Sequence, residues 1–156
     1  MKRFATGFLI AVFLFAPVMA DEIPFATPPS NRNPSESAPG TLANIMATIQ
    51  LRHIKLWFAG KAKNWDLLNY EAQKLENDFI AAALFYQNLP VDNVMLVTKP
   101  LRGLMEAANK KDYSLHAKAF DELTAGCNSC HVAGQVGYIH IQVPKSSPFG
   151  NQSYER

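Results

Sequence analysis

Between residues 41 and 134, apolar side chains recur every three or four positions in four successive runs, and this pattern constrains the fold more than any other feature. The first run is Leu42, Ile45, Met46, Ile49, His53, Leu56 and Trp57; Thr41 caps it and it extends to about Gly60. Asn64 caps a second, from Trp65 to about Asn88, with Leu68, Ala72, Leu75, Phe79, Ala82, Ala83 and Tyr86 on one face and Pro90 closing it. Val91 to Val97 reads as a connection. A third, shorter helix is then expected from a Thr98 cap, with Pro100 in the first turn, where its missing N–H costs least. Leu101, Leu104, Met105 and Ala108 form its inward side. Asp112 caps the fourth, which passes through Phe120, Leu123, Cys127 and His131 to about Gly134. Four amphipathic helices with short links predict an all-α chain, a four-helix bundle. Each buried Leu, Ile or Phe in it contributes roughly 1.5–3 kcal/mol.

The flanks obey other rules. Lys2 and Arg3, the apolar run Phe8 to Phe15 and Val18-Met19-Ala20 before Asp21 have the form of a cleaved secretory signal over residues 1–20. The apolar run is too short to span a bilayer comfortably, so export to a periplasm is expected rather than stable membrane insertion. Residues 21–40, punctuated by Pro24, Pro28, Pro29, Pro34 and Pro39, form an irregular leader that cannot bury a core. Residues 41–134 make the helical domain. Residues 135–156 make a C-terminal extension with Gly137, Pro144, Pro148 and Gly150, in which the β-branched residues of Tyr138–Val143 allow a short extended piece.

Export also changes the charge. The chain has 15 Lys and Arg against 13 Asp and Glu; without Lys2 and Arg3 the mature chain balances at 13 of each. No basic field is left to hold nucleic acid.

Late in the fourth run, Cys127-Asn128-Ser129-Cys130-His131 matches C-x-x-C-H, the attachment sequence of c-type haem. On a helix, residues three apart share a face, so both thiols can reach the vinyl groups of one porphyrin and the adjacent His131 can ligate its iron. Gly126 allows the chain to approach the ring closely. Three other readings fit less well. A zinc site needs four N or S ligands, and the chain has two cysteines. A thioredoxin-type dithiol needs a strand before the motif, whereas the surroundings are helical. A plain disulfide leaves His131 idle. The cofactor expected is therefore one covalent haem c with its iron.

With the motif near the end of the last of four helices, the chain resembles class II c-type cytochromes, the cytochrome c-prime and cytochrome c-556 group, over roughly residues 41 to 134. It departs from them in the extension after Gly134, since class II chains usually stop soon after the motif. The resemblance implies a sixth iron ligand from a first-helix methionine, here Met46, in low-spin members, or an open site in five-coordinate ones. Met46 also has an ordinary use as a core gap-filler. His53, two turns further along the same face, is the alternative sixth ligand, a hydrogen-bond donor to a propionate, or a satisfied core residue, the more common place of a lone His on an apolar stripe. Arg52 suits a propionate partner or a solvated surface. Trp57, Phe58 and Trp65 are core or haem-packing aromatics, His116 is expected at the surface or rim, and His140 lies in the extension.

These readings imply a periplasmic electron-transfer cytochrome with His131 and Met46 as axial ligands and a redox protein as partner, not an enzyme. The alternative is a five-coordinate gas-binding or sensing haem protein of the cytochrome c-prime type. A peroxidase-like enzyme needs an open iron and a distal acid–base group, for which only His53 offers itself. Class II bundles often pair, which leaves a homodimer open.

Overall fold

The computed structural model describes residues 41–86, 89 and 91–155, with Phe85 and Val91 in backbone only. The expected signal segment, the leader and the closing Pro90 lie outside the described residues. Within them the protein is all-helical: α1 (Leu42–Lys61), α2 (Trp65–Phe85), α3 (Val91–Lys110) and α4 (Tyr113–Ala133). No helix among the described residues is long and apolar enough to cross a membrane.

Side-chain oxygens start three of the helices as the sequence predicts. Thr41 Oγ1, Asn64 Oδ1 and Asp112 Oδ1 accept from the backbone N–H groups of Asn44, Leu67 and Leu115. The helix ends are less legible. α1, α3 and α4 each stop at a non-glycine residue in the left-handed region: Lys63, Lys111 and Gln135, with φ of 55°, 54° and 60°. After α1, Lys63 N–H donates to Gly60 O and Asn64 N–H to Ala59 O, the paired bonds of a Schellman closure. The same pairing recurs after α3, from Lys111 and Asp112, and after α4, from Gln135 and Val136. Gly134, the expected stop, keeps φ −81°, and Gln135 takes the turn instead. Because Asn64 and Asp112 both finish one helix and cap the next, α1–α2 and α3–α4 are joined by very short links that fold each helix back on its predecessor.

The third helix corrects the expectation. It begins at Val91, not after a Thr98 cap, and Pro100 lies inside it. Thr98 Oγ1 donates to Met95 O within the helix. The inward series Val94, Val97, Leu101, Leu104, Ala108 runs unbroken through Pro100, and burial of that series outweighs one missing backbone donor. Pro100 leaves Leu96 O without its helical donor, and α4 passes close at that level. A Cβ on Gly126 would stand 3.4 Å from Leu96 O and 3.1 Å from Val97 Cγ1. Gly126 therefore serves the α3–α4 crossing.

Leu56, Leu68, Leu75, Leu101, Leu104, Phe120 and Leu123 form the fully buried centre. Each helix packs on its sequence neighbour, and α4 returns to α1 over a smaller contact than those neighbours share.

Two polar groups depart from their expected places. His116 is fully buried, with Nε2 donating to Leu56 O at 3.1 Å and its ring stacked on Trp57 at 5.8 Å. Gly60 lacks the Cβ that would collide with that ring, so a small residue on α1 makes room for a large one on α4. Arg52 forks between Glu71 Oε2 and Asp78 Oδ2 of α2, each at 2.7 Å, with Lys55 3.6 Å from Glu71 Oε1. Glu71 is only 3% exposed, so the fork neutralises a buried carboxylate.

Candidate functional site

The weak closure between α1 and α4 has a structural counterpart. At the end of the bundle where α1 and α3 begin and α2 and α4 finish, the helices surround a cavity of about 910 Å³. That volume lies toward the upper end of small-molecule and cofactor sites. Phe79 and Ala82 of α2 and Val94 and Val97 of α3 supply apolar walls. Cys127, Cys130 and His131 line it from α4, and Met46, Ile49 and His53 from α1. All five residues singled out in the sequence as ligands or attachment points thus meet at one cavity. They come from the first and last helices, and the fold brings them together.

His131 is held in a defined form. Its Nδ1 lies 2.7 Å from the carbonyl oxygen of Ile139. A carbonyl only accepts, so Nδ1 carries a hydrogen; in the neutral ring this leaves the lone pair on Nε2, the tautomer that suits a metal-ligating imidazole.

His53 is held differently. Thr124 Oγ1 donates to Phe120 O at 2.9 Å and, having spent its hydrogen, accepts from His53 Nε2–H at 2.8 Å. Burial pushes the His53 pKa down to about 4, so the ring is neutral near pH 7. Its lone pair is therefore on Nδ1. Offering Nε2 to a metal would require breaking the bond to Thr124.

Met46 is half-buried, lines the cavity and packs against the core, with no competing polar partner among the described residues.

Burial also acts on the thiols. It raises Cys127 to about 12 and Cys130 above its ordinary value. Both are free thiols, and neither has the lowered pKa of a reactive redox cysteine. Among the described residues no three His, Cys, Asp or Glu side chains converge on a protein-only metal site.

The extension after α4 does two things. Val136, Ile139 and Ile141 line the cavity. Further on, Tyr154 packs its ring on Phe58 at 5.5 Å and accepts from Asn64 Nδ2 through its carbonyl, while Phe149 lies under Lys55 Nζ at 4.9 Å. The chain from Tyr138 to Val143 joins no strand. Instead Asn128 Nδ2 donates to Ile141 O and Ile141 N–H donates to Asn128 Oδ1, each at 2.8 Å. Asn128, Thr124 and the Ile139 carbonyl are the site groups that sequence reasoning missed. Only Asn128 carried a signal, its place inside the motif.

Other residues lie away from the cavity. Arg52 is committed to Glu71 and Asp78, so it does not supply a cation there. Trp57 stacks on His116 and meets Phe120 at a tilt, Phe58 meets Tyr154, and Trp65 packs against the core. His140 is exposed in the extension.

Compared with known proteins, the chain matches no protein-family model, no curated protein and no solved structure.

Proposed function

We propose that this protein is an exported mono-haem c-type cytochrome, its haem joined to Cys127 and Cys130 and its iron ligated by His131, and that it transfers single electrons rather than catalysing a reaction. Helix order and the late position of the motif favour the class II group within that class. The carrying observation is the cavity. Cys127, Cys130 and His131 of the attachment motif all line a largely apolar space sized for a large cofactor, and the Nδ1–H tautomer of His131 leaves Nε2 as the nitrogen to offer iron. The haem would supply the Fe(III)/Fe(II) couple. The protein's own part is to exclude water with Phe79, Val94, Val97 and Ile141, and to present ligands from opposed helices.

Met46 is the sixth ligand in this reading, because among the described residues its thioether has no competing polar partner, whereas His53 is anchored through Nε2 to Thr124 and has only Nδ1 left to offer. His53 then acts as a neutral hydrogen-bonding wall. Periplasmic localisation rests on the signal-like first twenty residues, and the partner is a redox protein met through a small transient interface.

An optical spectrum of the purified exported protein, with a denaturing gel stained for haem, tests this. Wild-type should carry haem that survives denaturation and show a low-spin spectrum, and Cys127→Ala with Cys130→Ala should abolish the covalent haem. Met46→Ala should turn the spectrum high-spin. If Met46→Ala changes nothing and His53→Ala does so instead, His53 is the ligand. A wild-type spectrum that is already high-spin and responds to carbon monoxide establishes the gas-binding alternative.

A further inference from the structure

We propose that the segment Val136–Ile141 is a strap that positions the His131 ring for iron, and that Asn128, inside the Cys127–His131 motif, is the clasp that holds it. This rests on the haem reading above and deepens it.

The strap is tied at both ends. At its start Gln135 turns the chain with φ 60°, and Val136 N–H donates to His131 O at 2.8 Å. A further turn follows, in which Ile139 N–H donates to Val136 O at 2.8 Å. At its far end the Asn128 amide engages both backbone groups of Ile141, as a neighbouring strand would. Between these ties lies the Ile139 carbonyl, 2.7 Å from His131 Nδ1.

Asn128 suits the clasp chemically. An amide donates and accepts at once; a carboxylate can only accept from Ile141 N–H, and alanine can do neither. The strap thus returns to the same helical turns that bear the thiols, and the residue that secures it is spaced between them. An acceptor on Nδ1–H selects the tautomer, fixes the ring's rotation and makes the imidazole a stronger donor to the metal. Asn128 is therefore a positioning residue, acting through Ile139 on His131.

The test compares reduction potentials of the haem-loaded proteins. Losing the acceptor on Nδ1 weakens donation to ferric iron, so Asn128→Ala should raise the potential. We expect about a tenfold shift toward the ferrous form, about 59 mV for one electron, with covalent haem content unchanged. A strap serving merely as a cover gives the opposite sign, because water admitted to the haem favours the ferric state. Asn128→Asp keeps the bond from Ile141 N–H and should shift the potential less in the same direction; it carries the test if Asn128→Ala does not fold. Tyr154→Ala, which loosens the far end of the extension, should leave the potential at the wild-type value. An unchanged or lowered potential in Asn128→Ala overturns the proposal, as does an equal shift in Tyr154→Ala. If wild-type carries no haem, the haem reading fails and the strap is judged by the nitrogen NMR shifts of His131. The Nδ1–H tautomer should dominate in wild-type and be lost in Asn128→Ala; the same tautomer in both overturns the strap.

Discussion

The two ends of the bundle are built from the same four helices by opposite means. At one end, small residues let the backbones close in around large ones. Gly60 accommodates His116, and a Cβ on Gly103 would stand only 3.1 Å from Ala119 Cβ. Ala59, Ala72 and Ala107 leave no exposed surface, and the ring of Trp57 stacks on His116 while Phe120 meets both at a tilt. At the other end Met46, Ile49, Phe79, Val97 and Cys127 leave a cavity between the helices that they line. The first end supplies the density that defines a unique native packing. The second is free to carry chemistry because the first holds the helices in register.

The largest expected effect opposes the two ends directly. Phe120→Ala removes a fully buried ring from the dense end and should cost about 3–5 kcal/mol in urea unfolding. Phe79→Ala only widens an existing cavity, so in haem-free protein the cost should stay near the transfer contribution alone, about 1.5–3 kcal/mol. Equal losses would mean that the ends do not differ in packing as described.

The second test is acid. The His53 pKa is lowered by burial to about 4 in the fold against 6.5 in an unfolded chain, so between those values the unfolded state binds more protons. The stability tied to neutral His53 is complete above pH 6.5 and lost as pH falls toward 4. That loss is on the order of 3 kcal/mol. His116, also lowered by burial, adds to the slope in the same direction. Urea titrations of haem-free Cys127→Ala/Cys130→Ala protein should show this decline, and His53→Gln should make it shallower. A decline of undiminished steepness would remove His53 as its source.

The smallest effect concerns the flank. Arg52→Ala leaves Glu71, 3% exposed, with Lys55 as its one cationic neighbour among the described residues and should cost about 2 kcal/mol. On the proposed haem reading, the spectrum and potential should stay as in wild-type. A spectral change would restore Arg52 to the neighbourhood of the cofactor.

Much of this architecture was legible in advance for local reasons. Thr41, Asn64 and Asp112 act within three residues of themselves, so a cap can be read from its neighbours alone. The α1 and α2 stripes were likewise visible as periodicity. Pro100 misled because its favoured place in a first turn is a local preference, and the unbroken row from Val94 to Ala108 overrode it. His116 and Arg52 misled for a related reason. A polar residue goes where a partner waits, and those partners, Leu56 O on another helix and the Glu71–Asp78 pair, are distant in sequence.

What the sequence determined by itself is the set of helices and the motif, since 3.6-residue periodicity, caps and the C-x-x-C-H spacing are properties of neighbouring residues. Only the tertiary structure decided that Met46 and His53 share one cavity with Cys127, Cys130 and His131. It alone decided which nitrogen each imidazole leaves free, because Thr124 and the Ile139 carbonyl make that choice through space. The physical reason is range. A helix is decided by contacts three and four residues away, whereas the form of a buried imidazole is decided by whichever acceptor the completed fold brings within 3 Å.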